Sequence, residues 1–185
     1  MARQTAISIN TIPIGPLGII GMPGCEELTD KIDKYLVKWR KTQAIEHAES
    51  IAFFGYQRDS YKIDITIPRF GSGEGKGVIN ESVRGYDIYI VCDVFNYSCT
   101  YNMYGKEVCM SPDDHFADLK RVISALCSKP KRVSVIMPML YEGRQHKRSS
   151  RESLDCAMAL KELVHLGVEN IITFDADDQR VQNAI

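Results

Sequence analysis

The chain has 185 residues, 44% of them hydrophobic and 25% charged, which is enough for one domain with a real core and excludes disordered and fibrous classes. A formal net charge of −1 removes any general attraction to nucleic acid or to a membrane surface, so a basic cluster has to be argued locally. No apolar stretch approaches a membrane span, and Pro13, Gly15, Pro16 and Gly18 interrupt the apolar N-terminal residues without a secretory pattern.

In chain order, Met1 to Pro16 reads as a lead-in, and the domain proper as residues 17–185. Leu17 to Met22 is a short apolar run closed by Pro23-Gly24, which predicts a central strand and a turn. Leu28, Ile32, Tyr35, Leu36 and Trp39 recur at helical spacing, with Glu26, Glu27 and Asp30 at the start and Lys38, Arg40 and Lys41 towards the end, complementing the helix dipole. Gln43 to Gly55 carries a weaker helical signal; alternatively the core simply takes Ile51, Phe53 and Phe54. Ile63, Ile65 and Ile67 alternate with polar residues as a strand that ends at Pro68. The glycine-rich Gly71 to Gly77 fails both the Walker and the dinucleotide patterns and is expected to be a mobile hairpin or connecting loop.

Val78 to Val83 can return as a strand, and Asp87 to Asp93 is a buried one, rich in β-branched and aromatic residues. Asn96 to Met110 is irregular and aromatic. Ser111-Pro112-Asp113-Asp114 announces a helix, with serine as cap, proline at the first position and an acid three residues after the cap; Phe116, Leu119, Val122, Ile123 and Leu126 form its apolar face. Val133 to Leu140 is a strand emptying into a loop. Ser149 and Glu152 suggest a capping box for a helix with Ala157, Leu160 and Val164 inward and Gly167 at its end. Asn170 to Phe174 is the last strand. The alternation of strands and helices predicts an α/β fold, a mostly parallel sheet between helical layers in a three-layer sandwich.

Two polar groups follow strands directly. The loop after Leu140 carries Arg144, Gln145, His146, Lys147, Arg148 and Arg151; the last strand finishes in Asp175-Ala176-Asp177-Asp178. Ligands of open α/β sheets bind outside the carboxyl ends of strands, so cationic donors there are placed for an anion such as phosphate, although a solvated basic turn has the same composition. Both groups should open on one sheet edge. Carboxylates beside cations suit a magnesium-polyphosphate complex; the competing reading is a helix cap or solvated turn, which we prefer for Asp178. The six cysteines (Cys25, Cys92, Cys99, Cys109, Cys127, Cys156) contain no C-x-x-C pair and read as reduced thiols of a cytoplasmic protein, leaving the sequons at Asn80 and Asn96 as chance matches.

Four segments in register resemble ribose-phosphate pyrophosphokinase, also called PRPP synthetase. Arg69-Phe70-Gly71-Ser72-Gly73-Glu74 resembles the R-F-x-[DN]-G-E nucleotide loop, and Glu81 through Asp87 the E-S-V-R-G-x-D segment. Gly143 through Arg148 is similar to the A-R-Q-D-[KR]-[KR] loop, and Asn170 through Gln182 to the I-I-T-x-D-L-H-x-x-Q-x-Q strand and metal loop. The resemblance implies a phosphoribosyltransferase-like fold and transfer of the pyrophosphoryl group of Mg-ATP to ribose 5-phosphate. It also implies ATP contacts from Arg144 and Gln145, adenine stacking by Phe70 with Ser72, Gly73 and Glu74 at the base edge, Mg²⁺ held by Asp175 and Asp177, and a homo-oligomer that shares the adenine site across subunits. Such chemistry rests on positioning and charge neutralisation, which fits the lack of a Ser-His or Cys-His pair. Two positions depart from the family: its acid after R-Q is His146 here, and its metal-loop histidine is Asp177. The family's second domain, with the ribose-phosphate loop, has no counterpart in the sequence, so the chain alone is expected to be inactive. A non-catalytic regulatory or assembly subunit and a free-standing nucleotide-binding module are the alternatives.

Overall fold

A computed structural model describes residues 13–46 and 57–185. The sheet is parallel and four-stranded, in the order β1 (Leu17–Gly21), β4 (Asp87–Val91), β7 (Arg132–Ile136), β8 (Asn170–Ile172). Beyond β1, Lys62 bridges Ile19 in parallel, with hydrogen bonds of 2.8 Å from the Ile19 amide to the Tyr61 carbonyl and from the Ile63 amide to the Ile19 carbonyl. The sheet is therefore filled outward in both directions from β1 and β4, which makes the gap between their carboxyl ends a switch point of the doubly wound kind.

Helices cover both faces. Alternate residues of a strand point to opposite sides, and the two cores divide accordingly. Helix α1 (Glu26–Glu46) brings Ile32, Leu36 and Val37 onto Leu17, Ile19 and Val91. Helices α2 (Pro112–Ala125) and α3 (Asp155–His165) share the other core with Ile20, Ile88, Ile90, Val133 and Val135. The chain is thus an α/β domain with a parallel sheet flanked by helices, as its strand and helix alternation predicts.

Local agreement is uneven. Helix α2 has the expected reciprocal cap, Asp114 amide to Ser111 Oγ at 3.1 Å and Ser111 amide to Asp114 Oδ2 at 2.9 Å, and buries the whole expected face. Helix α1 runs on to Glu46, so Lys38, Arg40 and Lys41 stand before its last turn and no separate helix opens at Gln43. The first residues of the lead-in, the stretch 47–56 and hence Ile51, Phe53 and Phe54 lie outside the described residues. The single strand expected over Ile63 to Ile67 is divided, because Tyr61 to Ile63 joins β1 whereas β2 (Ile65–Thr66) pairs antiparallel with β3 (Val78–Ile79). Strand β3 is also shorter than Val78 to Val83, since Asn80 and Glu81 turn to bond Asp64 instead of continuing a ladder.

Asn96 to Met110 contains a regular hairpin. Strands β5 (Thr100–Met103) and β6 (Lys106–Cys109) pair antiparallel through a two-residue turn, Tyr104-Gly105, with φ of 50° and 78°. Helix α3 starts at Asp155, several residues after the expected box. The Ser149 amide does reach Glu152 Oε2 at 3.2 Å, but the Ser153 carbonyl is taken by Gln145 Nε2 at 2.8 Å, tying this backbone to the basic loop instead of to a helix. Its buried face is Cys156, Ala159, Leu160 and Leu163; Val164 is exposed.

Candidate functional site

The basic and acidic loops meet at the carboxyl edge of the sheet. Met139 bridges Asp175 in parallel, the Leu140 amide donates to the Asp175 carbonyl at 3.0 Å, and the Phe174 and Asp175 amides both reach the Pro138 carbonyl at 3.1 Å. Two loops separated by a whole helix in sequence are thereby zipped together. Between them and the start of α2 lies a cavity of about 400 Å³, with Asp113, Tyr141, Glu142, Arg144, Asp175 and Asp177 among its walls.

Tyr141 forms one side. Its ring stacks on Phe116 with centroids 4.3 Å apart and planes 13° from parallel, and its hydroxyl donates to Asp113 Oδ1 at 2.6 Å. Burial, reinforced by that carboxylate, holds the phenol well above its usual pKa. Burial also raises the Glu142 carboxyl, with Asp155 and Asp113 adding to the effect. The cavity is therefore acid-rich, and Arg144 is the cation in its wall. Arg144 is exposed and makes no hydrogen bond or ion pair among the described residues.

The other expected residues are placed differently. The carboxamide of Gln145 already donates to the Ser153 carbonyl. Asp175 and Asp177 sit on one turn, with the Asp177 amide 3.3 Å from Asp175 Oδ1 and Asp177 at a φ of 57°. Two exposed carboxylates are hard oxygen donors suited to a water-rich divalent cation. Among the described residues no group of three or more His, Cys, Asp or Glu side chains is arranged to hold a metal ion, so water or ligand oxygens would have to complete the shell. His146 lies behind them, with Nδ1 3.0 Å from the Gly143 carbonyl and 3.5 Å from Asp177 Oδ2, and Nε2 3.2 Å from Asp178 Oδ2. Asp178 is bonded to Arg180, side chain and backbone amide, which depresses its pKa, and it caps the final 3₁₀ turn, Gln179–Ala184.

The glycine-rich loop is built as a tight turn. The Phe70 amide donates to the Glu74 carbonyl at 2.8 Å, the Gly73 amide to the Phe70 carbonyl at 2.9 Å, and Arg69 pairs with Gly75. Arg69 anchors it: one guanidinium nitrogen reaches the Gly73 carbonyl at 3.0 Å, another Asp118 Oδ2 at 2.6 Å, and the group lies 4.4 Å from the centre of the Tyr101 ring. The stretch is thus the turn of a hairpin that connects β2 to β3, one of the two forms expected of its glycines. Phe70 remains 57% exposed at its tip, and Ser72 Oγ donates to Glu74 Oε2 at 2.7 Å. Asp118, the buried acid on which this anchoring depends, escapes a sequence reading because it is one polar residue within the apolar face of α2. No residue of the 69–75 turn lines the cavity beside Arg144.

The doubly wound α/β domain thus opens an arginine and paired carboxylates at the carboxyl edge of its sheet, the edge at which open α/β sheets take their ligands. The sequence profile of the N-terminal domain of ribose phosphate pyrophosphokinase matches residues 17–167, and the chain belongs to that family. It is 26% identical over 122 residues to a ribose-phosphate pyrophosphokinase of Vibrio vulnificus, an overlap covering 64% of this chain and 34% of that protein. To ribose-phosphate pyrophosphokinase B of Dictyostelium discoideum it is 27% identical over 117 residues, 63% of this chain and 32% of the other. The chain thus spans about a third of the curated relatives it matches. The fold is also that of phosphoribosylpyrophosphate synthetase from Mycobacterium smegmatis, whose crystal structure superposes with a TM-score of 0.64 at 20% identity, over 92% of this chain and 46% of that one. Among the described residues no helix is long and apolar enough to cross a membrane.

Proposed function

We propose that the chain is the ATP-contacting domain of a ribose-phosphate pyrophosphokinase, the enzyme that moves the pyrophosphoryl group of Mg-ATP onto ribose 5-phosphate. The observation that carries this reading is Arg144, an unpartnered guanidinium in the wall of a cavity on the carboxyl edge. A planar guanidinium takes two phosphate oxygens at once, and Gln145 beside it adds a neutral contact. Asp175 and Asp177 are the ligands for Mg²⁺, which when bound offsets the negative charge of the polyphosphate. Phe70 stacks on the adenine, with Ser72, Gly73 and Glu74 at its edge. The protein works as a homo-oligomer in this reading, a second copy of the chain completing the adenine site; that the Phe70 turn does not line the Arg144 cavity supports it. No residue of this chain is assigned to ribose 5-phosphate.

One observation favours a second reading, a regulatory or assembly subunit without turnover. His146, at the position where the family carries an acid, stands 3.5 Å from an Asp177 oxygen, so the surroundings of that carboxylate differ from the family's.

Calorimetry with Mg-ATP tests the assignment. Arg144→Ala is expected to weaken binding roughly ten- to a hundredfold, as for loss of a charge-assisted bond. Arg144→Lys should not restore it, because an ammonium is a point charge. Alanine at Lys147, Arg148 or Arg151, which do not line the cavity, should cost little. Equal losses at all four positions that vanish in moderate salt would reduce the loop to a diffuse positive field.

A further inference from the structure

The β5–β6 hairpin lies in none of the four family-like segments, yet it is joined to the Phe70 turn. The Tyr104 amide donates to the Gly71 carbonyl at 2.9 Å, Tyr101 receives the Arg69 guanidinium on its ring, and a Cβ built on Gly73 would meet Met103 Sδ at 2.9 Å. Two tight turns are thus joined to one another, and each carries an aromatic ring at its tip. Tyr104 is 79% exposed and Phe70 57%.

Tyr104 is an expensive residue for its place. It occupies the first position of a two-residue hairpin turn at φ 50°, where asparagine or glycine is favoured and an aromatic is strained. Its hydroxyl has no hydrogen-bond partner among the described residues, and its ring packs into neither core. The fold gains nothing visible from it. The area presented also indicates what the pair can hold: two partly exposed rings offer roughly 300 Å². A stable protein interface needs about 800 Å² from each partner. A planar ring is the better match in size.

We infer that Tyr104 is a second aromatic contact for the nucleobase, acting with Phe70 as a two-ring platform; this rests on the nucleotide reading above and adds a residue to it. The rings supply a π surface, while the Glu74 carboxylate, in the same turn as Phe70, is an acceptor for an amino edge.

The test compares Mg-ATP with inorganic tripolyphosphate, which has the phosphates and no base, by calorimetry on the full chain. In Tyr104→Ala the ATP affinity should fall roughly three- to tenfold, tripolyphosphate affinity should be unchanged, and Tyr104→Phe should bind ATP like the unaltered chain. Tyr104→Asn separates recognition from folding: it should lose ATP affinity like the alanine variant while its thermal midpoint stays level or rises. Unaltered ATP affinity in Tyr104→Ala, or a matching loss for tripolyphosphate, overturns the inference while the nucleotide reading stands. Failure of the unaltered chain to bind ATP overturns both.

Discussion

Asp118 and Cys25 show how residue chemistry is set by surroundings the local sequence does not reveal. Asp118 lies in the buried face of α2 with its carboxylate shared between Arg69 at 2.6 Å and Arg121 at 2.5 Å. Removing such a charge leaves its partners desolvated and unpaired, which is why buried networks of this kind break at high cost. Cys25 is a different case: burial pushes its thiol up to about 11, against the opposing hydrogen bond from the Asp93 amide. The folded-state value exceeds the ordinary 9.0, so the neutral thiol contributes stability that is complete below about pH 9 and is lost as pH rises towards 11. Two results should follow. The urea midpoint should drop less between pH 9 and pH 11 in Cys25→Ala than in the unaltered chain. Under iodoacetamide at pH 8, exposed Cys109 and Cys127 should alkylate first, with buried Cys25, Cys92 and Cys156 protected until denaturant is added. Uniform alkylation, read by mass spectrometry, would contradict the burial assigned here.

At the scale of elements, the glycine-rich stretch separates into positions with distinct demands. A Cβ on Gly77 would sit 2.7 Å from the backbone of Arg121, so this glycine lets β3 lie directly on α2, whereas a Cβ on Gly71 meets nothing within 4 Å. Gly77→Ala should therefore lower stability by about 1–3 kcal/mol, the usual cost of overpacking, and Gly71→Ala should leave the urea midpoint nearly unchanged. A similar effect for both would mean that the strand does not pack as described. The hairpin and α3 show the reverse situation, elements whose sequence signals misdirect. Tyr104-Gly105 is not a usual hairpin pair, so β5 and β6 read as irregular. Ser149 and Glu152 have the right spacing for a helix cap, yet the Ser153 carbonyl finds its donor in Gln145, and α3 begins later with a rotated buried face.

For the whole molecule, the decisive feature is that the loops after β7 and β8 share one edge. His146 is the fastener at their tips, its Nδ1 lying between the Gly143 carbonyl and Asp177 and its Nε2 facing Asp178. His146→Ala should release both tips together: hydrogen exchange should quicken in residues 142–148 and 175–180 with little change in β4 and β7, whose opening requires the core to part. Quickening in one loop alone would show that they are not coupled.

The strand and helix alternation, the cap of α2 and the position of the cationic and acidic groups after strands were all legible in the sequence, because each depends on neighbours a few residues away. The runs Leu17 to Met22, Asp87 to Asp93 and Val133 to Leu140 read as strands for the same reason, and the structure ends those strands at Gly21, Val91 and Ile136. What only the tertiary structure decided involves partners far apart in the chain. Arg69 becomes a loop anchor because Asp118 is buried beneath it, Tyr61 to Ile63 extends the sheet because β1 leaves an edge unpaired, and Arg144 is singled out from three neighbouring cations because it alone borders the cavity. Local pattern reports a residue's propensity and periodicity; desolvation, pairing and access are properties of the folded surroundings.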